Sequence, residues 1–184
     1  MNRRTSLIAV IVAAAIALPV YAAENLQLVE QQIKAGLLYN FLKYTEWPAE
    51  RMPAPGEAVV VCLIGGDPFG GHLQPMAGRT VNQQVIGIRT ISTSAEIQSC
   101  SLLVVPAAQQ ETWPDMQRSL VGKSVLTVSD MPGFAASGGM IEFTRIDNRI
   151  GVIINTDTVT AAHLVVQDRL LRLARTMGRA PAGR

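Results

Sequence analysis

The sequence has little of what most active sites are built from. Its 184 residues include two histidines and two cysteines. His72 and His163 have no cysteine, histidine or carboxylate at ligand spacing, which argues against a zinc centre. No Gly-x-Ser-x-Gly elbow occurs, and no serine is matched to a histidine and an acid. The glycine-rich stretch Gly65–Gly71 lacks the Lys-Ser/Thr ending of a phosphate-cradling loop, and its glycine spacing is not a dinucleotide fingerprint. The cysteines form no Cys-x-x-Cys motif, which disfavours a catalytic thiol pair. There is no charge bias: leaving out Arg3 and Arg4, basic and acidic residues balance, so nucleic acid is not suggested as a partner. Internal repeats and low-complexity segments are missing too. No catalytic set, metal or cofactor is expected. Composition and spacing alone leave an exported α/β domain of unstated purpose.

What is present begins with a leader. Arg3 and Arg4 form a short basic region, Leu7–Leu18 is an unbroken apolar run, Pro19 ends it, and Val20-Tyr21-Ala22 offers small residues at the positions signal peptidase reads. This pattern predicts a secretory signal over 1–22, cut after Ala22, and a single domain over 23–184 located in the periplasm. The run is shorter than the roughly 20 residues a membrane span requires, so no membrane insertion is expected after cleavage. No cysteine follows it, so a lipid anchor is not indicated. Cys62 and Cys100 both lie in the exported part, where an oxidising compartment favours a disulfide between them. The alternative is two buried thiols.

Leu26, Val29, Ile33, Leu37 and Phe41 recur at steps of three and four, widened by Leu38 and Leu42, and predict a long half-buried helix. Glu30 and Lys34 have the favourable i,i+4 sense on it. Pro48 ends it in a Tyr44…Trp47-Pro48 exit. Short apolar runs at Ala58–Ile64, Val85–Ile91, Ser101–Val105 and Ser124–Val128 predict strands, and Ser94–Gln98 a helical turn capped by Ser94. An exposed helix is expected over Gln109–Leu120, with Pro114 near its first turn. Met140–Thr144 and Ile150–Ile154 around Asp147-Asn148 predict an antiparallel hairpin. A final long helix is then expected, capped at Asn155, Thr156 or Asp157, with Val159, Ala162, Val166, Leu170 and Leu173 as its apolar stripe. Five C-terminal arginines (Arg169, Arg172, Arg175, Arg179 and Arg184) read as its solvated face. The fold class is α/β: one three-layer domain with an open mixed sheet, covering helices, and a C-terminal hairpin plus long helix.

In such a sheet, ligands sit beyond the carboxyl ends of the strands. The Gly65–Gly71 and Ser129–Phe134 loops are expected there, bringing Asp67 and Asp130 within reach of each other and framing a candidate ligand site with Phe69 and Phe134. Two carboxylates there could hold a divalent cation. Asp-Pro and Asp-Met-Pro-Gly are also ordinary turn chemistry, and that reading is preferred.

The ordered set of motifs is more specific. Ile33-Lys34-Ala35-Gly36-Leu37-Leu38-Tyr39-Asn40-Phe41-Leu42-Lys43-Tyr44-Thr45-Glu46-Trp47-Pro48 resembles the opening signature of the YfiR family of periplasmic regulators. Cys62…Gly66-Asp67-Pro68-Phe69-Gly70, Gly78-Arg79-Thr80-Val81, Cys100, Leu126–Phe134, Gly138-Gly139-Met140-Ile141, Ile153-Ile154-Asn155 and Arg169–Arg175 follow in order. The resemblance implies a regulator and not an enzyme: an exported protein that binds the periplasmic region of an inner-membrane diguanylate cyclase and represses it. It also implies sequestration by an OmpA-type outer-membrane lipoprotein, and a homodimer is expected. Some members of the family carry a second cysteine pair nearer the C-terminus; this sequence has none. Apolar surface around Tyr44 and Trp47, or the outer side of the final helix, is the expected partner interface. The alternative is a periplasmic small-molecule sensor whose ligand lies between Asp67–Gly70 and Asp130–Phe134.

Overall fold

The computed structural model describes residues 26–54, 56–147 and 149–178. The expected leader, the cleavage site, Arg179 and Arg184 lie outside them. The elements in chain order are α1 (26–43), β1 (Thr45–Glu46), β2 (Ala58–Ile64), β3 (Thr80–Val81), β4 (Gln84–Ile91), β5 (Leu102–Val105), α2 (Trp113–Leu120), β6 (Leu126–Ser129), β7 (Ile141–Ile146), β8 (Arg149–Asn155), α3 (Thr156–Ala161), β9 (Val165–Val166), α4 (Asp168–Leu171) and β10 (Arg175–Met177). Eight strands form one open mixed sheet in the order β10-β8-β7-β6-β5-β2-β4-β3. Strands β4, β2, β5, β6 and β7 run parallel, β3 and β8 are antiparallel to their neighbours β4 and β7, and β10 runs parallel to β8.

The central strands are apolar throughout because both faces are covered. Successive residues point to opposite faces. Thus Leu102 and Val104 of β5 pack with α1, and Leu103 and Val105 pack with α2. The α1 layer is built on Ala35, Leu38, Phe41 and Leu42, with Phe41 tilted against Phe143 of β7 at 5.6 Å between ring centroids. Burying Leu38, Phe41 and Leu42 contributes at most about 1.5–3 kcal/mol each. On the other face, Trp113 and Met116 of α2 cover Cys62, Ile97, Cys100 and Phe134, with Trp113 against Phe134 at 4.5 Å. The disulfide joins Cys62 in β2 to Cys100 just before β5, with Cα atoms 5.8 Å apart, inside this second layer.

Three helical expectations are corrected. The predicted core face of α1 is buried only in its second half: Leu38, Phe41 and Leu42 are buried and Leu37 packs against them, but Leu26, Val29 and Ile33 are 72%, 52% and 47% exposed. The buried residues of α1 begin at Ala35, so the sheet covers the second half of the helix and leaves this side of the first half open. The long C-terminal helix does not form either. Residue spacing there suits a helix, but His163 takes φ 58°. His163 N–H then donates to Thr160 and Leu164 N–H to Val159, which closes α3 in a Schellman motif. The chain turns into β9, which pairs antiparallel with β1 through Thr45↔Val166, and resumes as the single turn α4. Asn155 is the cap of α3, accepting from Thr158 N–H. The 94–99 segment is a 3-10 helix capped by Thr93 and not by Ser94, in a reciprocal capping box with Glu96.

Candidate functional site

The two expected ligand loops lie past the ends of β2 and β6 and meet at one open cleft through Pro68 and Asp130, but Asp67, Phe69 and Phe134 are not among the residues that line it. Both Asp67 oxygens are occupied by their own loop, accepting from Phe69 N–H at 2.8 Å and Gly71 N–H at 2.7 Å. This is the turn role of aspartate, with Gly70 and Gly71 supplying the positive φ it requires. Phe69 is buried in the α1 layer and Phe134 in the α2 layer. The sheet separates them, so they cannot frame one pocket. The Ser129–Phe134 loop is held from beneath: buried Glu142 accepts from Gly133 N–H and Ala135 N–H at 3.1 and 2.9 Å.

Asp130 instead joins a charge relay on the outer side of α1. Lys34 reaches Glu30 at 2.9 Å and Asp130 at 3.3 Å, its ammonium lies 5.7 Å from the Phe143 ring, and Glu30 also pairs with Arg145 of β7. The hydrogen bond from Lys34 and the charges of Lys34 and Arg145, against the opposing effect of desolvation, hold the Glu30 carboxyl below its ordinary range. These residues, with Pro68 and Leu26, line an open cleft of about 520 Å³. Only the Glu30–Lys34 spacing was legible in advance. Arg145 and Asp130 reach it through sheet topology. Among the described residues, no group of three or more His, Cys, Asp or Glu side chains is placed to hold a metal ion.

A second concavity lies at the exit of α1. The chain leaves the helix through Thr45, Glu46 and Trp47, crosses Met52 and Pro53, and returns along β2. The tight β3–β4 hairpin, with Asn82 and Gln83 at φ 47° and 69°, closes the far wall. The space is about 380 Å³ and mostly apolar. Three of the residues that line it each hold one fully buried side-chain polar atom with no hydrogen-bond partner: Thr45 Oγ1, Trp47 Nε1 and Gln84 Oε1. They are the complete set of such side-chain atoms among the described residues. Gln84 Nε2 donates to the Pro53 carbonyl at 3.2 Å, which orients its carbonyl oxygen away from that bond. Trp47 thus lines this space, with its indole N–H buried. Tyr44 is half-buried, its ring between the Lys43 ammonium and the Arg169 guanidinium, each 5.3 Å away. Neither Thr45 nor Gln84 carried any sequence signal.

The chain is thus an α/β domain stapled by one disulfide, with a concave site at the exit of its first helix. The chain belongs to the YfiR/HmsC-like family, whose sequence profile matches residues 31–175, from the first half of α1 to the start of β10. No curated protein gives a significant match. Among the described residues, no helix is long and apolar enough to cross a membrane.

Proposed function

We propose that this chain is a periplasmic regulatory protein that binds the periplasmic region of an inner-membrane diguanylate cyclase and represses it, lowering cyclic-di-GMP signalling. The observation that carries the reading is the family match over residues 31–175. A disulfide in the core suits an oxidising compartment. Repression requires only tighter binding to the inactive cyclase: a tenfold bias takes about 1.4 kcal/mol and near-complete shut-off about 5.5 kcal/mol. We assign that contact to the exposed stripe Leu26, Val29 and Ile33 of α1, since contiguous exposed apolar surface commonly marks an interface. Tyr44 and Trp47 contribute less to it, because one ring is covered by two cations and the other lines a cavity. An OmpA-type outer-membrane lipoprotein is the proposed sequestering partner, and a homodimer the proposed resting state.

The test is co-purification of the 23–184 protein with detergent-solubilised inner-membrane proteins, with and without reductant. A diguanylate cyclase recovered with wild type and lost with Ile33→Asp supports both the function and the contact. Recovery that survives Ile33→Asp keeps the function and moves the contact. Recovery of no cyclase under either condition overturns the function.

A further inference from the structure

We propose that the open edge of β4 is a docking site for an extended acidic segment of a partner protein, which joins the sheet as an antiparallel strand. The sheet ends at β3, but β3 is only two residues long and pairs with β4 at Gln84 and Val85 alone. Ile86 N–H donates to the Arg79 carbonyl and Gly78 N–H to the Ile86 carbonyl, so both main-chain groups of Ile86 point away from β2. These groups alternate sides along a strand, so those of Ile88 and Thr90 point the same way. β2 lies on the other side, and no other backbone group among the described residues bonds them. Further along, Ser92 N–H is taken by the Glu96 carboxylate. What remains is a gap over Gly87–Ile91, with Ile88 half-buried and Arg89 and Thr90 exposed. An open edge of this kind is a template for another strand.

The edge specifies its occupant. An extended backbone presents donors and acceptors at the spacing of the free groups on Ile88 and Thr90. Its residues opposite these two fall on the α1 face, where Ile86 and Ile88 meet the apolar core, so β-branched side chains suit them. The residue between them falls opposite Arg89, on the face of buried Ile91. Arg89 spends one donor on the Ser99 hydroxyl. The carboxylate that feels its charge, Glu96, is committed to Ser92 N–H and to the N–H and hydroxyl of Thr93. Arg89 therefore keeps donors free for a carboxylate from the partner. A second copy of this chain fits worse. With Ile86 and Ser92 taken, antiparallel pairing of two β4 edges must set Ile88 against Thr90. That register places the two Arg89 side chains directly opposite each other, where like charges repel. An acidic segment turns the same position into a favourable cross-strand pair. The edge shares no residue with the α1 stripe assigned to the cyclase contact.

The probe is the end-capped peptide Thr-Val-Glu-Val-Thr, compared with Thr-Val-Lys-Val-Thr and with a form of the first that is N-methylated at both valines. Each is added to the disulfide-intact 23–184 protein. The readout is the backbone amide resonances in NMR, with Ile154 as the internal control, because it lies at the opposite end of the sheet and is paired with β10. The glutamate peptide is expected to move the Ile88 and Thr90 resonances saturably at millimolar concentration and to leave Ile154 in place. The lysine peptide should bind about fivefold more weakly. The N-methylated peptide, which has lost its donors to the Ile88 and Thr90 carbonyls, should bind weaker by about tenfold or more. Arg89→Glu, a change at an exposed side chain, should reverse the preference between the glutamate and lysine peptides. The proposal is overturned if the glutamate peptide moves neither resonance at millimolar concentration, in which case Arg89 only guards the edge. It is equally overturned if Ile154 responds alike, if the three peptides bind equally, or if Ile88 and Thr90 shift with protein concentration alone, which would make the occupant a second copy. Should Arg89→Glu fail to fold, the peptide comparison on the wild-type protein still decides the matter. Cyclase recovery does not enter this readout, so the two proposals fail independently.

Discussion

Removing the Cys62–Cys100 cross-link should cost this domain a large share of its stability. The bond spans 38 residues of chain and ties the middle of β2 to the entry of β5. On the chain-entropy account, closing a loop of that length removes about 4 kcal/mol of freedom from the unfolded ensemble. That is a large share of the roughly 5–15 kcal/mol that holds an ordinary domain together. Both sulfurs lie in the apolar layer beneath Trp113 and Met116, so the native bond should resist a thiol reductant until the domain opens. The assay is urea unfolding of the wild type against the Cys62→Ala/Cys100→Ala double variant. Alanine is chosen because a buried serine hydroxyl would add its own penalty. The expected result is a fall of about 3–4 kcal/mol with a steeper denaturant dependence, since the uncross-linked chain exposes more surface on unfolding. A loss under about 1 kcal/mol with an unchanged slope would refute the reasoning, because the cross-link would then constrain nothing that the sheet pairing of β2 with β5 does not already fix.

Other outcomes follow from single contacts. Gly139→Ala should cost about 1–3 kcal/mol, because a Cβ there would overlap the fully buried Phe134 ring, and calorimetry should show a matching fall in Tm. His163→Gly should stabilise by about 0.5–1 kcal/mol in urea unfolding, since the position is held at φ 58° where a Schellman motif ordinarily takes glycine. Glu30 has a folded-state pKa below its unfolded value, so its contribution is fully present above the unfolded value and is lost as pH falls through the folded one. Glu30→Gln should therefore flatten the acid limb of a stability–pH curve below about pH 5, with an effect at neutral pH under about 1 kcal/mol for so partly exposed a relay.

The parallel core was legible because each central strand is a short β-branched run buried on both faces. Their short length and β-branched content suit a strand, and all but Val60 of Val59–Ile64 and all of Leu102–Val105 are buried. The β7–β8 hairpin was legible from its turn, where Asp147 takes the left-handed conformation, and the pairing Ile146↔Arg149 follows. The C-terminal third was not, because its break is made by a histidine. Helical spacing continues through Val166 and Leu170, and no glycine or proline marks the stop. What ends the helix is a tertiary pairing, since Tyr44 accepts from Gln167 N–H and Thr45 lies opposite Val166. A two-residue strand 120 residues upstream cannot be weighed by local propensity.

The same pairing explains why the expected site and the observed one differ. Asp67 and Asp130 drew attention because carboxylates in glycine-rich loops could be ligands, yet one is spent on its own turn and the other on Lys34. The groups left without partners are an amide, an indole and a hydroxyl, and of the three only Trp47 drew attention in the sequence, as a surface aromatic and not as a residue with a buried N–H. Their residues come to line one space only because β9 draws β1 alongside it, fixing the backbone at Thr45 and Glu46, while the β3–β4 hairpin brings Gln84 across from Trp47.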